Sequence, residues 1–201
     1  YCLCEDEAVI GRAFYIMEFM QGRVLWDQSL PGMANAERGA IYNEMNRVIS
    51  ALHSVKFADR GLSSYGKPGN YFERQIGRWS KQYVASITQP IAEMDELMAW
   101  LPAHIPADAR DESRVSIVHG DYRLDNLMFH ATEPRVIAVL DWELSTLGHP
   151  LADFSYHCMA WHIPPGSFRG IGGLDVASLG IPTEDDYIRL YCERTGLTTP
   201  A

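Results

Sequence analysis

Apolar positions recur at helical spacing in three segments of the first half of the chain. The first segment, residues 35–56, repeats them every three or four residues, with Asn35 as the candidate N-cap. The second follows Asn70, whose spacing from Glu73 is that of a capping box, and the third begins at Pro90. The apolar stripes are Ile41, Met45, Val48, Ile49 and Leu52, then Phe72, Ile76, Trp79 and Tyr83, then Met94, Leu97, Met98 and Leu101. We therefore predict three helices. We expect Trp79, Tyr83 and Trp100 to lie in the core, with a place beside an acidic cleft that seats a substrate cation as the alternative.

Short β-branched and aromatic runs indicate strands elsewhere in the chain. Residues 13–19 predict an early strand, and three further strands are predicted at 114–120, 127–130 and 135–141. The later strands are separated by polar loops and a turn, so we expect one small β element in the middle of the chain. Together with the helices, this pattern predicts an α+β fold that is mostly helical.

The last third of the chain predicts two more helices and a loop. One helix is expected from Pro150 to about Trp161, and another after Thr183, where three acidic residues occupy the positive end of the helix dipole. Between them, residues 163–182 contain several Gly and Pro and no periodicity, which predicts a long surface loop.

Composition and charge exclude several classes of protein. The 201 residues are 47% hydrophobic and 21% charged, which is ordinary for a globular domain with a sizeable core. No apolar run reaches the roughly 18 residues that span a bilayer. The net charge of −9 argues against sequence-independent nucleic-acid binding, which requires a basic face. We predict neither nucleic acid nor a membrane as a partner.

The cysteines indicate a reducing compartment. The chain has four, Cys2, Cys4, Cys158 and Cys192, without a Cys-x-x-Cys pair. Their spacing relative to the histidines matches no standard zinc module. We expect free thiols and a cytoplasmic location.

The candidate catalytic and metal-binding residues are concentrated in and around a strand–loop–strand segment. The strand before Asp121 delivers His119-Gly120-Asp121, and Asn126 follows just before the next apolar strand. Asp121 can accept a proton from a hydroxyl nucleophile, and Asn126 can offer its carbonyl oxygen to a hard cation. Asp141 ends another strand and can reach the same cation. A base, an amide ligand and a carboxylate ligand in this order are the parts of phosphoryl transfer with Mg²⁺.

This order of residues resembles the aminoglycoside phosphotransferase/choline kinase-like family, whose members are relatives of the protein kinases. The segments that carry the resemblance are H-G-D-x-x-x-x-N at 119–126, I-A-V-L-D-W-E at 137–143 and G-H-P-L-A-D-F-S-Y-H at 148–157. The stretch 61–83 is similar to the phosphotransferase-like domains associated with acyl-CoA dehydrogenases. The resemblance implies a protein-kinase-like C-terminal lobe. It also implies ATP- and Mg²⁺-dependent phosphorylation of a hydroxyl group on a small molecule.

The resemblance assigns roles to the motif residues. Asp121 corresponds to the catalytic base, and Asn126 and Asp141 correspond to the metal ligands. Arg123 lies in the same loop and is a candidate catalytic group that neutralises the transferred phosphate.

Two further residues correspond to structural supports of the loop. His119 matches a histidine that braces the catalytic loop, and Asp153 matches a buried aspartate that hydrogen-bonds to it. The role of Glu143 stays open between contact with metal or substrate and capping of the loop.

An earlier segment, residues 14–25, resembles the hinge that holds adenine. The resemblance implies that the backbone of Glu18 and Met20 bonds to the purine edge and that Phe19 leans on the rim of the pocket.

The expected domain organisation follows from this hinge. Residues 1–25 form the end of an N-terminal lobe and the hinge strand, and residues 26–201 form the helical C-terminal lobe. The latter contains the catalytic loop 119–126 and the metal-binding segment 141–143. Nothing before residue 14 supplies a phosphate-covering loop or a Lys–Glu pair. We therefore expect that an upstream lobe is missing and that the isolated chain is inactive.

The acceptor and the class of activity leave alternatives open. An acidic chain is compatible with an aminoglycoside or an amino alcohol, whereas a hydroxyacyl compound requires a basic groove. Candidates for that groove are Lys67, Arg74, Arg78 and Lys81. A pseudokinase-like binding module is the main alternative function. A metal-dependent hydrolase is a further one, although it predicts ligand motifs such as H-E-x-x-H, which do not occur.

Overall fold

The computed structural model describes residues 1–110, 114–166 and 169–198. Within these ranges the helices are α1 (Asn35–His53), α2 (Tyr71–Ser86), α3 (Ala92–Trp100), α4 (Pro150–Cys158) and α5 (Glu184–Thr195). The strands are β1 (Cys2–Cys4), β2 (Phe14–Ile16), β3 (Arg23–Val24), β4 (Ser116–Val118), β5 (Leu127–Phe129), β6 (Val136–Val139) and β7 (Thr146–Gly148). The predicted α+β class, mostly helical with small β elements, is confirmed.

The strands pair in three small antiparallel sheets. β1 pairs with β2, β4 pairs with β7, and β5 lies between β3 and β6. The sequence pattern missed β1, β3 and β7, because strands of two or three residues are too short to show alternation. The pairing of β5 with β6 brings the segments before β5 and after β6 together, and a bond from His119 to the carbonyl of Leu140 joins the segment after β4 to them.

The helix starts differ in detail from the predicted ones. Ala34 is the N-cap of α1, and Asn35 is its first residue. The side chain of Asn35 donates to the carbonyl of Ser178 and accepts from Arg38. Asn70 precedes α2 in a left-handed conformation and its side chain accepts no capping hydrogen bond, so the predicted capping box is wrong. The helix expected at Pro90 begins two residues later, because Ile91 is still extended.

The core lies between α1, α4 and α5. Ile41, Met45 and Ile49 of α1 are completely buried, in agreement with the helical periodicity. They share one cluster with Phe154 of α4 and Tyr191 of α5, whose rings stack with centroids 3.8 Å apart. This packing holds α4 in contact with β4.

The segment predicted as a surface loop, residues 163–182, also covers the core. In its described part it contains no helix or strand, as expected. Ile171 and Ile181 are nevertheless buried in the main cluster, and the N–H of Ile171 donates to the carbonyl of Ala160 at 2.7 Å. The prediction of a purely superficial loop is therefore wrong, since isolated apolar residues can anchor a loop without any periodicity.

The aromatic residues of α2 and α3 are not in the core. Trp79 is 46% exposed and Trp100 is 52% exposed, which corrects the prediction for both. The stripe of α2 faces a cleft beside Gly120 instead. Helical periodicity indicates an apolar face but does not distinguish a core from a cleft. None of the described helices has the length and apolarity needed to cross a membrane.

Candidate active site

The strand β4 ends in a turn that depends on a glycine. Gly120 has φ +85°, and a Cβ at this position would lie 2.7 Å from the carbonyl oxygen of Leu144. Just before it, the ring of His119 is buried. Its Nδ1 accepts the N–H of Asp121 at 3.2 Å, so the single ring proton is on Nε2, which donates to the carbonyl of Leu140 at 2.7 Å. Both nitrogens of this imidazole are therefore bonded within the protein.

The backbone of the turn is held by a buried carboxylate on α4. Asp153 accepts the N–H of His119 at 2.7 Å and the N–H of Gly120 at 2.9 Å. His53 Nε2 donates to the same carboxylate at 3.1 Å, and His53 Nδ1 lies 2.6 Å from the hydroxyl of Tyr191. Burial alone would raise the pKa of Asp153, but the hydrogen bonds from His53 and the two amides outweigh it and lower the pKa. Asp153 is thus a carboxylate that ties the turn to α4.

Asp121, the candidate base, receives a donor on each carboxylate oxygen. The hydroxyl of Tyr156 donates to Oδ1 at 2.6 Å, and Asn126 Nδ2 donates to Oδ2 at 3.0 Å. Burial raises the pKa of Tyr156 to about 12, and the bond to Asp121 adds to this effect, so the phenol keeps its proton. Arg123 Nε lies 3.2 Å from Oδ1 as an ion pair, although its N–H is not aligned for a hydrogen bond.

The two candidate metal ligands lie at the ends of neighbouring strands. Asn126 immediately precedes β5, and the N–H of Leu140, just after β6, donates to its carbonyl oxygen at 2.8 Å. Asp141 is the next residue, exposed and in a left-handed conformation with φ 65°. Because Asn126 Nδ2 is bonded to Asp121, its Oδ1 is the atom available to a cation. An amide oxygen and a carboxylate suit Mg²⁺, which takes few protein ligands and completes its shell with water and phosphate oxygens.

A metal site with several histidine or cysteine ligands has no support in the described residues. Across residues 1–110, 114–166 and 169–198, no group of three or more His, Cys, Asp or Glu side chains converges on one point. This finding does not support the alternative function, a metal-dependent hydrolase with several histidine ligands.

Sequence reasoning missed several charged and polar groups around this loop. Asp125 Oδ2 lies 3.2 Å from Arg123 Nη2 and 3.0 Å from Arg169 Nη1, and the guanidinium of Arg169 stacks over the ring of Trp26 at 4.6 Å. Tyr156 was also missed. A signal for it was available, because it lies three residues after Asp153 and therefore on the same face of α4.

Two clefts open on either side of Tyr156. The first is lined by Gln28, Arg123, Asp125, Met159 and Arg169. The second is lined by Phe72, Ile76, Arg78, Trp79 and Leu144, together with Gly120. Tyr156 lines both clefts, and its hydroxyl is bonded to the Asp121 carboxylate.

The candidate hinge residues lie apart from this hydrogen-bonded cluster. Glu18 and Phe19 are exposed, Phe19 by 86%, and Met20 is half-buried. They connect β2 to β3, and β3 pairs with β5, the strand that leaves the Asn126 loop. The structure thus connects the segment to the site through a shared sheet.

Comparison with known proteins decides the family. The sequence model of the phosphotransferase enzyme family matches residues 1–186. The chain belongs to this phosphotransferase family. It is 70% identical to a putative aminoglycoside phosphotransferase from Ralstonia eutropha, whose crystal structure superimposes with a TM-score of 0.92 over 98% of this chain and 59% of that one.

The chain also resembles parts of larger proteins. It is 48% identical to the acyl-CoA dehydrogenase family member 10 of Mus musculus, over 97% of this chain and 18% of that protein. It is 43% identical to family member 11 of Rattus norvegicus, over 96% of this chain and 25% of that protein. The chain therefore spans a quarter or less of the length of these relatives.

More distant structures share the fold alone. A type VIII aminoglycoside-3'-phosphotransferase superimposes with a TM-score of 0.59 at 13% identity, over 89% of this chain and 62% of that one. The chain thus shares its α+β fold with aminoglycoside phosphotransferases, as the resemblance implied.

Proposed function

We propose that this chain carries the catalytic loop of a kinase that transfers a phosphoryl group from Mg²⁺-bound ATP to a hydroxyl group of a small molecule. The observation that carries the proposal is the hydrogen bond from Asn126 to Asp121, with Asp141 next to the residue that pairs with Asn126. A base and an amide ligand are thus held in one loop beside a second oxygen ligand. Membership of the phosphotransferase family supports this use of the loop.

In this proposal some side chains take part in proton transfer and others neutralise charge on the phosphate. Asp121 orients the acceptor hydroxyl and takes its proton as the new bond to phosphorus forms. Arg123, beside Asp121, offsets charge on the transferred phosphoryl group. Asn126 and Asp141 would hold Mg²⁺, which supplies further neutralisation of the phosphate oxygens. His119 and Asp153 take no proton and keep the turn in place.

For the nucleotide, we propose that the backbone of Glu18 and Met20 contacts the adenine and that Phe19 flanks it. In the described chain, residues 17–20 lie between β2 and β3 and form no strand. The corresponding division of the chain is a hinge-bearing segment, residues 1–25, and a C-terminal lobe, residues 26–201. The phosphate-covering loop and the Lys–Glu pair would come from a separate N-terminal lobe of the whole protein.

For the acceptor, the cleft beside Gly120 favours a hydroxyacyl compound over an aminoglycoside or an amino alcohol. Its walls are aromatic and aliphatic, with Arg78 as a cation that lies 5.4 Å over the ring of Trp79. A polycationic acceptor would need carboxylates there, and the lining carboxylate, Asp153, is buried and already bonded to the turn. The similarity to acyl-CoA dehydrogenase family members agrees with an acyl acceptor.

The decisive experiment replaces Asp121 by Asn in the full-length protein. We expect turnover to fall by about 1,000-fold, because the amide cannot accept the hydroxyl proton. Mg²⁺-ATP affinity, measured by calorimetry, should stay within about twofold of the wild type, the range of an ordinary surface change. Asp95→Asn, on the exposed face of α3, is the matched control. Hydroxyacyl thioesters, amino alcohols and aminoglycosides serve as acceptors in an assay of ADP release. Wild-type turnover in Asp121→Asn contradicts the proposal. ATP binding without transfer to any acceptor would instead favour the pseudokinase-like module.

A further inference from the structure

The helix α4 holds the catalytic loop at two points. Asp153 and Tyr156 are three residues apart and share one face of the helix. Asp153 accepts the amides of His119 and Gly120, so it fixes the backbone of the turn. Tyr156 bonds the next residue, Asp121, through its side chain. One helical face therefore anchors both the backbone of the loop and the carboxylate that the loop presents.

The carboxylate of Asp121 is held from two sides. Tyr156 donates to Oδ1 at 2.6 Å from α4, and Asn126 Nδ2 donates to Oδ2 at 3.0 Å from the loop itself. Two donors on different oxygens restrict rotation of the carboxylate about its Cβ–Cγ bond. If the phenol hydroxyl is removed, only the Asn126 contact still orients the plane, since the Arg123 ion pair at Oδ1 is not aligned as a hydrogen bond.

The surroundings of Tyr156 make its hydroxyl a permanent donor. The charged groups that face it are Asp121, Arg123 and Asp125, of which the two carboxylates oppose its ionisation. Tyr156 also lines both clefts, so it lies at the surface that an acceptor in either cleft would contact. A group that gives a hydrogen bond to the base and keeps its own proton orients the base without competing for the proton of the acceptor.

We infer that Tyr156 is a positioning residue for phosphoryl transfer: its hydroxyl turns the Asp121 carboxylate so that a free lone pair faces the acceptor hydroxyl. This inference rests on the proposed function of Asp121. In the transfer step the acceptor oxygen bonds to the γ-phosphorus while the bond from phosphorus to the leaving oxygen of ADP breaks. The acceptor proton passes to Asp121, and Tyr156 keeps its own. Reaction rates depend steeply on such alignment.

The test compares Tyr156→Phe with the wild type in the full-length protein. The ring and its contacts with both clefts remain, and only the hydroxyl is lost. We expect kcat to fall by about 10- to 100-fold, because the base is no longer aligned. The KM values for the acceptor and for Mg²⁺-ATP should change by no more than about threefold. The control is Tyr83→Phe on α2, which removes a hydroxyl that accepts the N–H of Ile91. It should leave kcat and both KM values unchanged.

A second arm separates positioning from general stability. In the Asp121→Asn background, adding Tyr156→Phe should lower the residual turnover by less than about twofold, since the base to be aligned is already absent. Equal losses in both backgrounds, or a loss confined to the acceptor KM, would overturn the inference. Wild-type kcat in Tyr156→Phe would overturn it as well and leave the proposed function intact. Wild-type turnover in Asp121→Asn would overturn both.

Discussion

Asn126 donates twice to Asp121 through one nitrogen, at 2.8 Å to the backbone carbonyl and at 3.0 Å to the carboxylate. The side chain thus closes the loop that contains both residues. With Nδ2 bonded to Asp121, Oδ1 is the atom of the amide left for the proposed metal ion. The geometry of the loop and the proposed metal ligand therefore depend on the same amide.

Replacing Asn126 or Asp141 by Ala should weaken binding of Mg²⁺-ATP to the full-length protein. Each change removes one oxygen ligand, and we expect at least about a tenfold loss of affinity in calorimetry. Asn126→Asp provides a finer comparison, because it keeps an oxygen for the metal but loses both donations to Asp121. This variant should retain more affinity than Asn126→Ala while turnover stays low. Wild-type affinity in both alanine variants would contradict the assignment of the ligands.

Gly120→Ala should disturb the site far more than the same change at Gly61. Both glycines have positive φ, so both variants carry the left-handed strain of about 1 kcal/mol. Only at position 120 does the added Cβ meet backbone, 2.7 Å from the carbonyl oxygen of Leu144, whereas the space around the Gly61 Cβ is open. We expect Gly120→Ala to lower turnover by about 100-fold, because the His119–Asp121 turn must shift. Gly61→Ala should keep full turnover.

Urea denaturation of the two variants supplies the control for stability. Gly61→Ala measures the cost of the backbone conformation alone, and the additional loss in Gly120→Ala measures the clash with Leu144. Equal stability and equal turnover in the two variants would show that the close approach has no consequence.

The strand–loop–strand arrangement around Asp121 was predictable because its chemistry lies in a short, continuous segment. Asp121 and Asn126 are five residues apart between two apolar runs, so local sequence carries both the elements and the candidate ligands. Ile41, Met45 and Ile49 were predictable for a similar reason, since one helix packs one periodic face into the core. In both cases the signal and the structure are local.

Features that depend on the packing of distant segments could not be predicted. Trp79 has the periodicity of a core residue, but its helix flanks a cleft. Periodicity identifies the apolar face of a helix and does not indicate whether that face packs against the core. Ile171 is buried by contact with elements formed far away in the sequence. The spacing of Tyr156 from Asp153 places both residues on one face of α4, but the hydrogen bond from Tyr156 to Asp121 joins residues 35 positions apart, and the spacing alone does not indicate this partner.

Asp153→Asn should destabilise the fold and change its response to acid. An Asn side chain has one acceptor oxygen in place of two, so it leaves a buried amide of the turn without its partner, at a cost of about 3 kcal/mol in the free energy of unfolding. The pKa of Asp153 is lowered in the folded state, so its contribution is present above the unfolded pKa of about 3.9 and is lost as the pH falls through the folded pKa.

Urea denaturation at pH 7 and at successive values below about pH 4 measures both effects, since the unfolded carboxylate titrates there. The part of the stability loss in acid that arises from protonation of Asp153 should be absent in Asp153→Asn. The control Asp95→Asn leaves the hydrogen bonds of Asp153 in place and should retain this part of the acid loss. If Asp153→Asn showed the stability of the wild type at pH 7, the carboxylate would not be the anchor of the turn.

Mild acid should also weaken the fold through His157. This ring is buried with Nε2 2.8 Å from the hydroxyl of Tyr187, and burial lowers its pKa to about 4, against the smaller opposing effects of the Tyr122 backbone and Asp153. Between this value and the unfolded pKa of about 6.5, the unfolded chain binds more protons, so stability falls as the pH falls. From pH 7 to pH 5 the loss should be about 2 kcal/mol. His157→Gln should remove this slope in urea denaturation, whereas His104→Gln, at an exposed ring stacked on Trp100, should retain it. An unchanged slope in His157→Gln would mean that this ring does not titrate differently in the folded and unfolded states.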